Sequence, residues 1–224
     1  MQETRVLNLG FVNGYLLKTE AGFLLVDTGP SDQRAALEKE LENSGCRPGK
    51  LNLIIATHGD SDHVGNCVWL RQKYTTKIAM HRDEVEVVQK GDPALNKKIP
   101  QNLMGALIRF IVRLFMLKPA DRFTPDVLLE DGDNLSGYGL NAQVVHIPGH
   151  SNGSIGVLAP NGEFFCGDLL NNFRQPTPGY GIFDQVEFAT TLEKLKQLDI
   201  QTVYPGHGKP FAWAQFTKVS PKRD

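Results

Sequence analysis

The part of the sequence richest in metal-binding side chains is the segment 58–63, which holds two imidazoles and two carboxylates. It follows an apolar run at 53–56 that is typical of a buried strand. Alternate residues of an extended loop point the same way, so His58, Asp60 and Asp62 can face one point, and a turn would bring His63 beside them. Such donors can hold two neighbouring metal ions. Taken alone, the segment also fits a solvated polar loop.

Three further segments each place one nitrogen or oxygen donor after a predicted strand and beside a glycine. The donors are His150, Asp168 and His207. A loop at a strand end holds a side chain on a rigid base and leaves it open to solvent. Glycine lets the backbone pack close to a metal. His81 and His146 lack this setting, and we expect a surface or rim position for His81 and a satisfied core or edge position for His146.

The elements that must position these residues alternate between strands and helices. Hydrophobic patterns predict strands at 5–9, 12–18, 23–26, 53–56, 77–80, 142–147, 154–159, 163–166 and 202–204, and helices at 32–44, 64–74, 83–90 and 186–198. No internal repeat and no linker divides the sequence. We therefore predict one domain over residues 1–224, with an apolar helical insertion near 101–118.

Together with Asp27-Thr28-Gly29, the four donor segments resemble the five ordered motifs of the metallo-β-lactamase superfamily. The resemblance extends from about residue 8 to residue 210. It implies an α/β fold, an αββα sandwich in which two mixed sheets lie face to face with helices outside. It also places the site at one edge of the sandwich.

The same resemblance implies a binuclear metal site and a role for each donor. His58, Asp60 and His150 would hold one ion, and Asp62, His63 and His207 the other, with Asp168 bridging. Asp27 would orient ligands through hydrogen bonds. A hydroxide shared by the two ions would attack an ester, lactone, amide, thioester or phosphoester, and Asp62 would also take part in catalysis.

One residue departs from the motif, since histidine is usual at the position of Asp60. Three carboxylates instead of two would reduce the Lewis acidity of the first ion and favour harder metals. We therefore expect two divalent ions, with zinc as the family default and iron or manganese as alternatives. A carboxylate also occupies this position in the oxygen- or nitric oxide-reducing flavodiiron branch, so an iron-dependent oxidoreductase is one alternative. A non-catalytic binding protein of the same fold is another.

Individual branches of the superfamily match less well. Glyoxalase II-like enzymes carry an additional C-terminal helical domain, whereas only about 16 residues follow Gly208. Acyl-homoserine lactone lactonases place a tyrosine shortly after the bridging aspartate, whereas Leu169, Leu170 and Asn171 follow Asp168. True β-lactamases commonly have cysteine at the bridging position. The sequence therefore predicts a hydrolase of a small molecule without naming the substrate.

The net charge and the cysteine content of the sequence indicate which partners and which compartment to expect. With 24 basic and 25 acidic residues the net charge is −1, which gives no field for steering nucleic acid. The three cysteines are an odd number, and the N-terminus lacks a signal-peptide pattern, so we expect a cytoplasmic protein. Cys166, within an apolar run, is predicted to be a core residue.

The apolar run 103–117 is about 15 residues long and contains Arg109 and Arg113, so it is too short and too charged to be a transmembrane span. As a helix it would present a wide apolar surface. That surface would pack on its own domain, form a homodimer contact, close as a lid over an apolar substrate, or lie on a membrane. Among the last three we favour the lid or the dimer contact. Phe110, Phe115 and Tyr180 are the candidate substrate contacts.

Overall fold

The computed structural model describes residues 3–219, and their strands form two mixed six-stranded sheets. In the first sheet the strands follow chain order, with antiparallel pairing in the opening meander and parallel pairing from the third strand onward. Its strands are β1 (Glu3–Leu9), β2 (Val12–Thr19), β3 (Gly22–Val26), β4 (Leu51–Ile55), β5 (Lys77–His81) and β6 (Val127–Leu129).

The second sheet has the order β12-β11-β9-β8-β7, and β10 pairs with β9. Only β9 and β11 run parallel; the other pairs are antiparallel. The strands are β7 (Gln143–His146), β8 (Ile155–Leu158), β9 (Glu163–Asn172), β10 (Thr177–Pro178), β11 (Thr202–Gly208) and β12 (Phe211–Ala212).

Three buried clusters show how the layers stack. Alternation along β2 sends Leu16 to a cluster shared with the helices outside the first sheet, and Leu17 to the cluster between the two sheets. A third cluster joins the second sheet to α6 (Gln185–Leu195) and includes Cys166, as predicted. The predicted αββα sandwich is confirmed. The helices are α1 (Arg34–Asn43), α2 (Ser61–Val64), α3 (Cys67–Tyr74), α4 (Val85–Lys90), α5 (Leu103–Arg113), α6 (Gln185–Leu195) and α7 (Trp213–Val219).

The boundaries differ from the sequence prediction where metal-binding side chains are concentrated. Asp168 and His207, expected in loops, lie inside β9 and β11, because both strands continue past their glycines through register shifts. The helix expected at 64–74 is two helices, and α2 already begins at Ser61, so Asp62 and His63 sit on its first turn. The short edge strand β6 was not predicted.

Helix α5 carries its apolar side chains on the outside. Gly105 is buried so close to the carbonyl of Pro100 that a methyl group there would clash, and Arg109 donates to the same carbonyl. Leu103 is 90% exposed, and Phe110 and Phe115 are each 64% exposed. The apolar face therefore does not pack on its own domain. Across residues 3–219, no helix has both the length and the apolar character needed to span a bilayer.

Candidate metal centre

The predicted metal-binding side chains meet at the edge where β4, β9 and β11 end. His58 follows β4, and Asp62 and His63 extend from the first turn of α2. Parallel pairing of β9 with β11 places Asp168 and His207 on neighbouring strands. His150 arrives from the connection between β7 and β8.

Each of the four histidines uses Nδ1 to bond the protein. The Nδ1 atoms of His150 and His207 lie 3.3 and 2.8 Å from the carbonyl oxygens of Tyr180 and Phe11. Those oxygens only accept, so Nδ1 carries the proton and Nε2 keeps its lone pair. His63 Nδ1 donates to the Asp27 carboxylate over 2.9 Å. His58 Nδ1 lies 3.0 Å from the Thr57 hydroxyl oxygen and donates to it, because the hydroxyl proton itself is donated to Asp27 Oδ2. All four Nε2 lone pairs are thus free for a common centre.

The Nε2 atoms converge on three carboxylates. Asp168 Oδ1 lies 3.1 Å from His63 Nε2 and 3.4 Å from His207 Nε2, and Asp62 Oδ2 lies 3.7 and 3.6 Å from the same two atoms. Asp60 Oδ2 lies 3.6 Å from His58 Nε2 and 3.0 Å from His150 Nε2. Donor atoms around a tetrahedral ion with bonds of about 2.0–2.2 Å are about 3.3–3.6 Å apart. The spacing therefore fits metal ligation.

Unpaired buried atoms point the same way. His58 Nε2, His63 Nε2 and Asp168 Oδ1 are buried without a hydrogen-bond partner in the structure. Such atoms are costly unless something binds them. Two groups could each hold an ion, one formed by His58, His150 and Asp168 and the other by Asp62, His63 and His207. The donor set therefore suits two neighbouring cations.

Electrostatics reflect this crowding. Burial alone would lower the pKa of His63, but the charges of Asp168 and Asp62 raise it well above its usual value. Burial alone would raise the pKa of Asp168, but the charge of His63 holds it well below its usual range. The two pKa values shift in opposite directions because His63 Nε2 and Asp168 Oδ1 are only 3.1 Å apart.

Asp27 hydrogen-bonds to His63 and to Thr57, the residue before His58. Its Oδ1 accepts from the Thr57 amide, and its Oδ2 accepts from the Thr57 hydroxyl, each over 2.8 Å, while Oδ2 also receives His63 Nδ1. Asp27 has a φ of +57°, a strained value for a residue with a side chain. One carboxylate thus fixes two neighbouring histidines, since Thr57 in turn contacts His58.

Glu84 and Lys97 contact the metal-binding segments, yet neither was predicted. Glu84 is 1% exposed and accepts hydrogen bonds from the Gly59 amide, the Ser151 hydroxyl and the Asn96 amide group. It therefore ties together the segments that carry His58, His150 and Lys97. The Lys97 ammonium lies 2.6 Å from Asp60 Oδ1. Burial alone would raise the pKa of Asp60, but the charge of Lys97 lowers it well below its usual value.

Glycine is required beside the donors. A methyl group on Gly206 would lie 2.4 Å from Asp168 Oδ1 and 2.7 Å from His63 Cε1. Any larger residue there would intrude between the donor atoms.

Aromatic side chains border His207 at the surface. Phe11 stacks on His207 with ring centroids 5.5 Å apart, and Phe173 stacks on the same ring at 6.2 Å. Tyr180 contacts Phe173 at 5.8 Å. These three residues, here called the aromatic rim, are at least half exposed. The rim places apolar surface next to the donors; sequence had indicated only Tyr180.

The remaining predicted residues lie elsewhere. Phe110 is on the outer face of α5, and Phe115 follows that helix. Phe115 lines a cleft of about 360 Å³ that is also lined by Ser61, the residue between Asp60 and Asp62 in the sequence. The expected surface or rim position of His81 is wrong, because His81 is 5% exposed and its ring stacks on that of His146 with centroids 4.5 Å apart. His146 Nε2 donates a hydrogen bond to the backbone carbonyl of Asn152 over 2.7 Å, so His146 is a satisfied edge histidine, as predicted.

Known proteins are similar in sequence to this chain. The chain is 26% identical over 204 residues to the Beta-lactamase-like protein 2 homolog of Drosophila melanogaster, covering 90% of this chain and 60% of that protein. It is 29% identical over 122 residues to the hydroxyacylglutathione hydrolase GloC of Haemophilus influenzae, covering 54% and 50%. The chain thus spans little more than half the length of these two relatives.

A solved structure and a family model complete the comparison. The crystal structure of TTHA1623 in a di-iron-bound form aligns with a TM-score of 0.70 at 26% identity, covering 94% of each chain. The model of the Metallo-beta-lactamase superfamily matches residues 7–207, nearly the whole described chain and all of the donor segments. On this match, the chain belongs to the metallo-β-lactamase superfamily.

Proposed function

We propose that the chain is a metal-dependent hydrolase of a small-molecule ester, lactone, thioester or phosphoester. The observation that carries the proposal is the convergence of four Nε2 lone pairs on three carboxylates, with buried donor atoms left unpaired. His58, Asp60 and His150 would hold one ion, and Asp62, His63 and His207 the other, with Asp168 between them. When bound, the ions lower the pKa of water and polarise the electrophilic group of the substrate.

The protein contributes orientation and proton transfer. Among the three carboxylates Asp62 is the most accessible, with a side chain that is 26% exposed against 20% for Asp60 and 10% for Asp168. It is therefore placed to accept the proton of an attacking water, and this supports the catalytic role predicted for it. Asp27 keeps His63 in the tautomer that can bind an ion.

The substrate's apolar part would lie on the aromatic rim. Stacking of Phe11 and Phe173 on His207 brings exposed apolar surface next to the reacting centre. The apolar face of α5, with Phe110 and Phe115, is the further candidate for a lid or a homodimer contact. If the face is a lid, Phe110→Ser with Phe115→Ser would raise KM for long-chain esters more than for short ones. If it is a homodimer contact, the same substitutions would dissociate the dimer.

A panel of thioesters, lactones, carboxylic esters and phosphodiesters tests the proposal. We expect metal-reconstituted protein to hydrolyse at least one class, and chelated protein and Asp168→Ala to lose that activity. Absence of hydrolysis by fully reconstituted protein would contradict the proposal.

A second candidate function is an iron-dependent oxidoreductase, which is favoured by Asp60 and by the similarity to TTHA1623 in a di-iron-bound form. Oxygen-dependent turnover by the iron-loaded protein would identify this function.

A further inference from the structure

Lys97 is a buried cation that lies against the proposed ligands. Its side chain is 2% exposed, and its ammonium lies 2.6 Å from Asp60 Oδ1 and 5.8 Å from the centre of the Phe183 ring. A charge this well buried is costly unless it is paired. The pairing with Asp60 is therefore a built feature of the site.

The two oxygens of Asp60 have separate partners. Oδ1 receives Lys97, whereas Oδ2 faces His150 Nε2 at 3.0 Å and His58 Nε2 at 3.6 Å. Only Oδ2 is turned toward the donor atoms of the first ion. Lys97 thus restricts Asp60 to a single donor atom, which is the number that a histidine would offer at this position.

We propose that Lys97 is a positioning residue that cancels the charge of Asp60, so that the pair replaces the neutral histidine usual in this motif. The proposal rests on the proposed metal centre. Asp60, Asp62 and Asp168 together with one lysine carry the same net charge as two carboxylates with histidine at position 60. Three carboxylates alone would make the first ion less Lewis-acidic and would favour harder metals. The positive charge of Lys97 counteracts this effect.

The position of Lys97 is fixed by the residue before it. The side-chain NH₂ of Asn96 donates to Glu84 Oε1, and the backbone carbonyl of Asn96 accepts from the backbone N–H of Asn152 over 3.1 Å. Glu84 also accepts from Gly59, in the loop that carries Asp60. The buried carboxylate of Glu84 therefore fixes the position of Lys97 relative to Asp60.

A double-mutant cycle on the full chain tests this inference, with zinc and manganese as the probes. Asp60→His alone should weaken binding of one ion on the order of 10- to 100-fold, because Lys97 then lies unpaired beside a cation. Adding Lys97→Met should restore two zinc ions per chain. Lys97→Met alone should lower the preference for zinc over manganese about tenfold, as Asp60 becomes a full anionic donor.

Lys98→Met is the matched control, because Lys98 is the neighbouring lysine, is exposed, and pairs with Asp184 instead of with a proposed ligand. It should leave zinc binding unchanged. If Asp60→His binds zinc as well as the double variant, or if Lys97→Met weakens zinc binding equally in both backgrounds, Lys97 is only a structural anchor and the inference fails. Should Asp60→His not fold, Asp60→Asn with and without Lys97→Met repeats the comparison. A wild-type protein that binds no ion would instead refute the metal centre.

Discussion

Replacing Glu84 with glutamine should destabilise the protein and loosen its hold on metal. Glu84 Oε2 accepts from the Gly59 amide over 2.8 Å, and Oε1 accepts from Ser151 and Asn96. In its better orientation a glutamine keeps its oxygen on the latter two and turns its NH₂ toward the Gly59 N–H. One charge-assisted hydrogen bond is then lost and a buried donor is left unsatisfied, at a cost of about 2 kcal/mol.

For a chain of this size that loss corresponds to a Tm about 4–8 °C lower. Because Gly59 lies between His58 and Asp60, we also expect metal affinity to fall on the order of 10- to 100-fold. Thermal unfolding and competition with a chromophoric chelator measure the two effects. Glu86→Gln is the control, since Glu86 is an exposed α4 residue paired with Lys90. Unchanged Tm and unchanged affinity in Glu84→Gln would refute the role of Glu84 as the link between the segments.

Three further changes probe other parts of the site. Asp168→Ala should remove activity and lower metal content at both positions, because Asp168 is the carboxylate placed between the two groups; elemental analysis showing two ions per chain would contradict this. Asp27→Asn should reduce metal affinity on the order of 10- to 100-fold by loosening His63, and a dissociation constant equal to wild type would argue against orientation by Asp27. Phe110→Ser with Phe115→Ser should change chain-length preference or oligomeric state, measured by ester kinetics and sedimentation; if neither changes, α5 has another role.

The donor residues could be predicted from the sequence, because histidines and aspartates beside glycine occur together within short segments and indicate a metal site. The donors between His58 and His63 can be predicted to lie together from local sequence alone, because one strand end and one turn are enough to bring them to the same place. The strand positions of Asp168 and His207 were missed, since a glycine is read as the end of a strand although β9 and β11 continue through register shifts.

Lys97, Glu84 and the aromatic rim could not be predicted from local patterns. Lys97 lies in the irregular segment 91–101, and only tertiary packing brings it to Asp60. Glu84 looks like an ordinary acidic residue before a helix, although it is buried. Phe11 sits in the turn between β1 and β2, and its contact with His207 depends on how the two sheets face each other.

Metal stoichiometry tests the central claim most directly. Protein purified without chelator would be dialysed against zinc, iron(II) or manganese and its metal content measured per chain by elemental analysis, with circular dichroism to confirm folding. The two donor groups contain four histidines and two aspartates, and Asp60 lies beside His58 and His150; this arrangement predicts two ions per chain for at least one of these metals. Folded protein that holds no more than one ion per chain with every metal would contradict a binuclear centre.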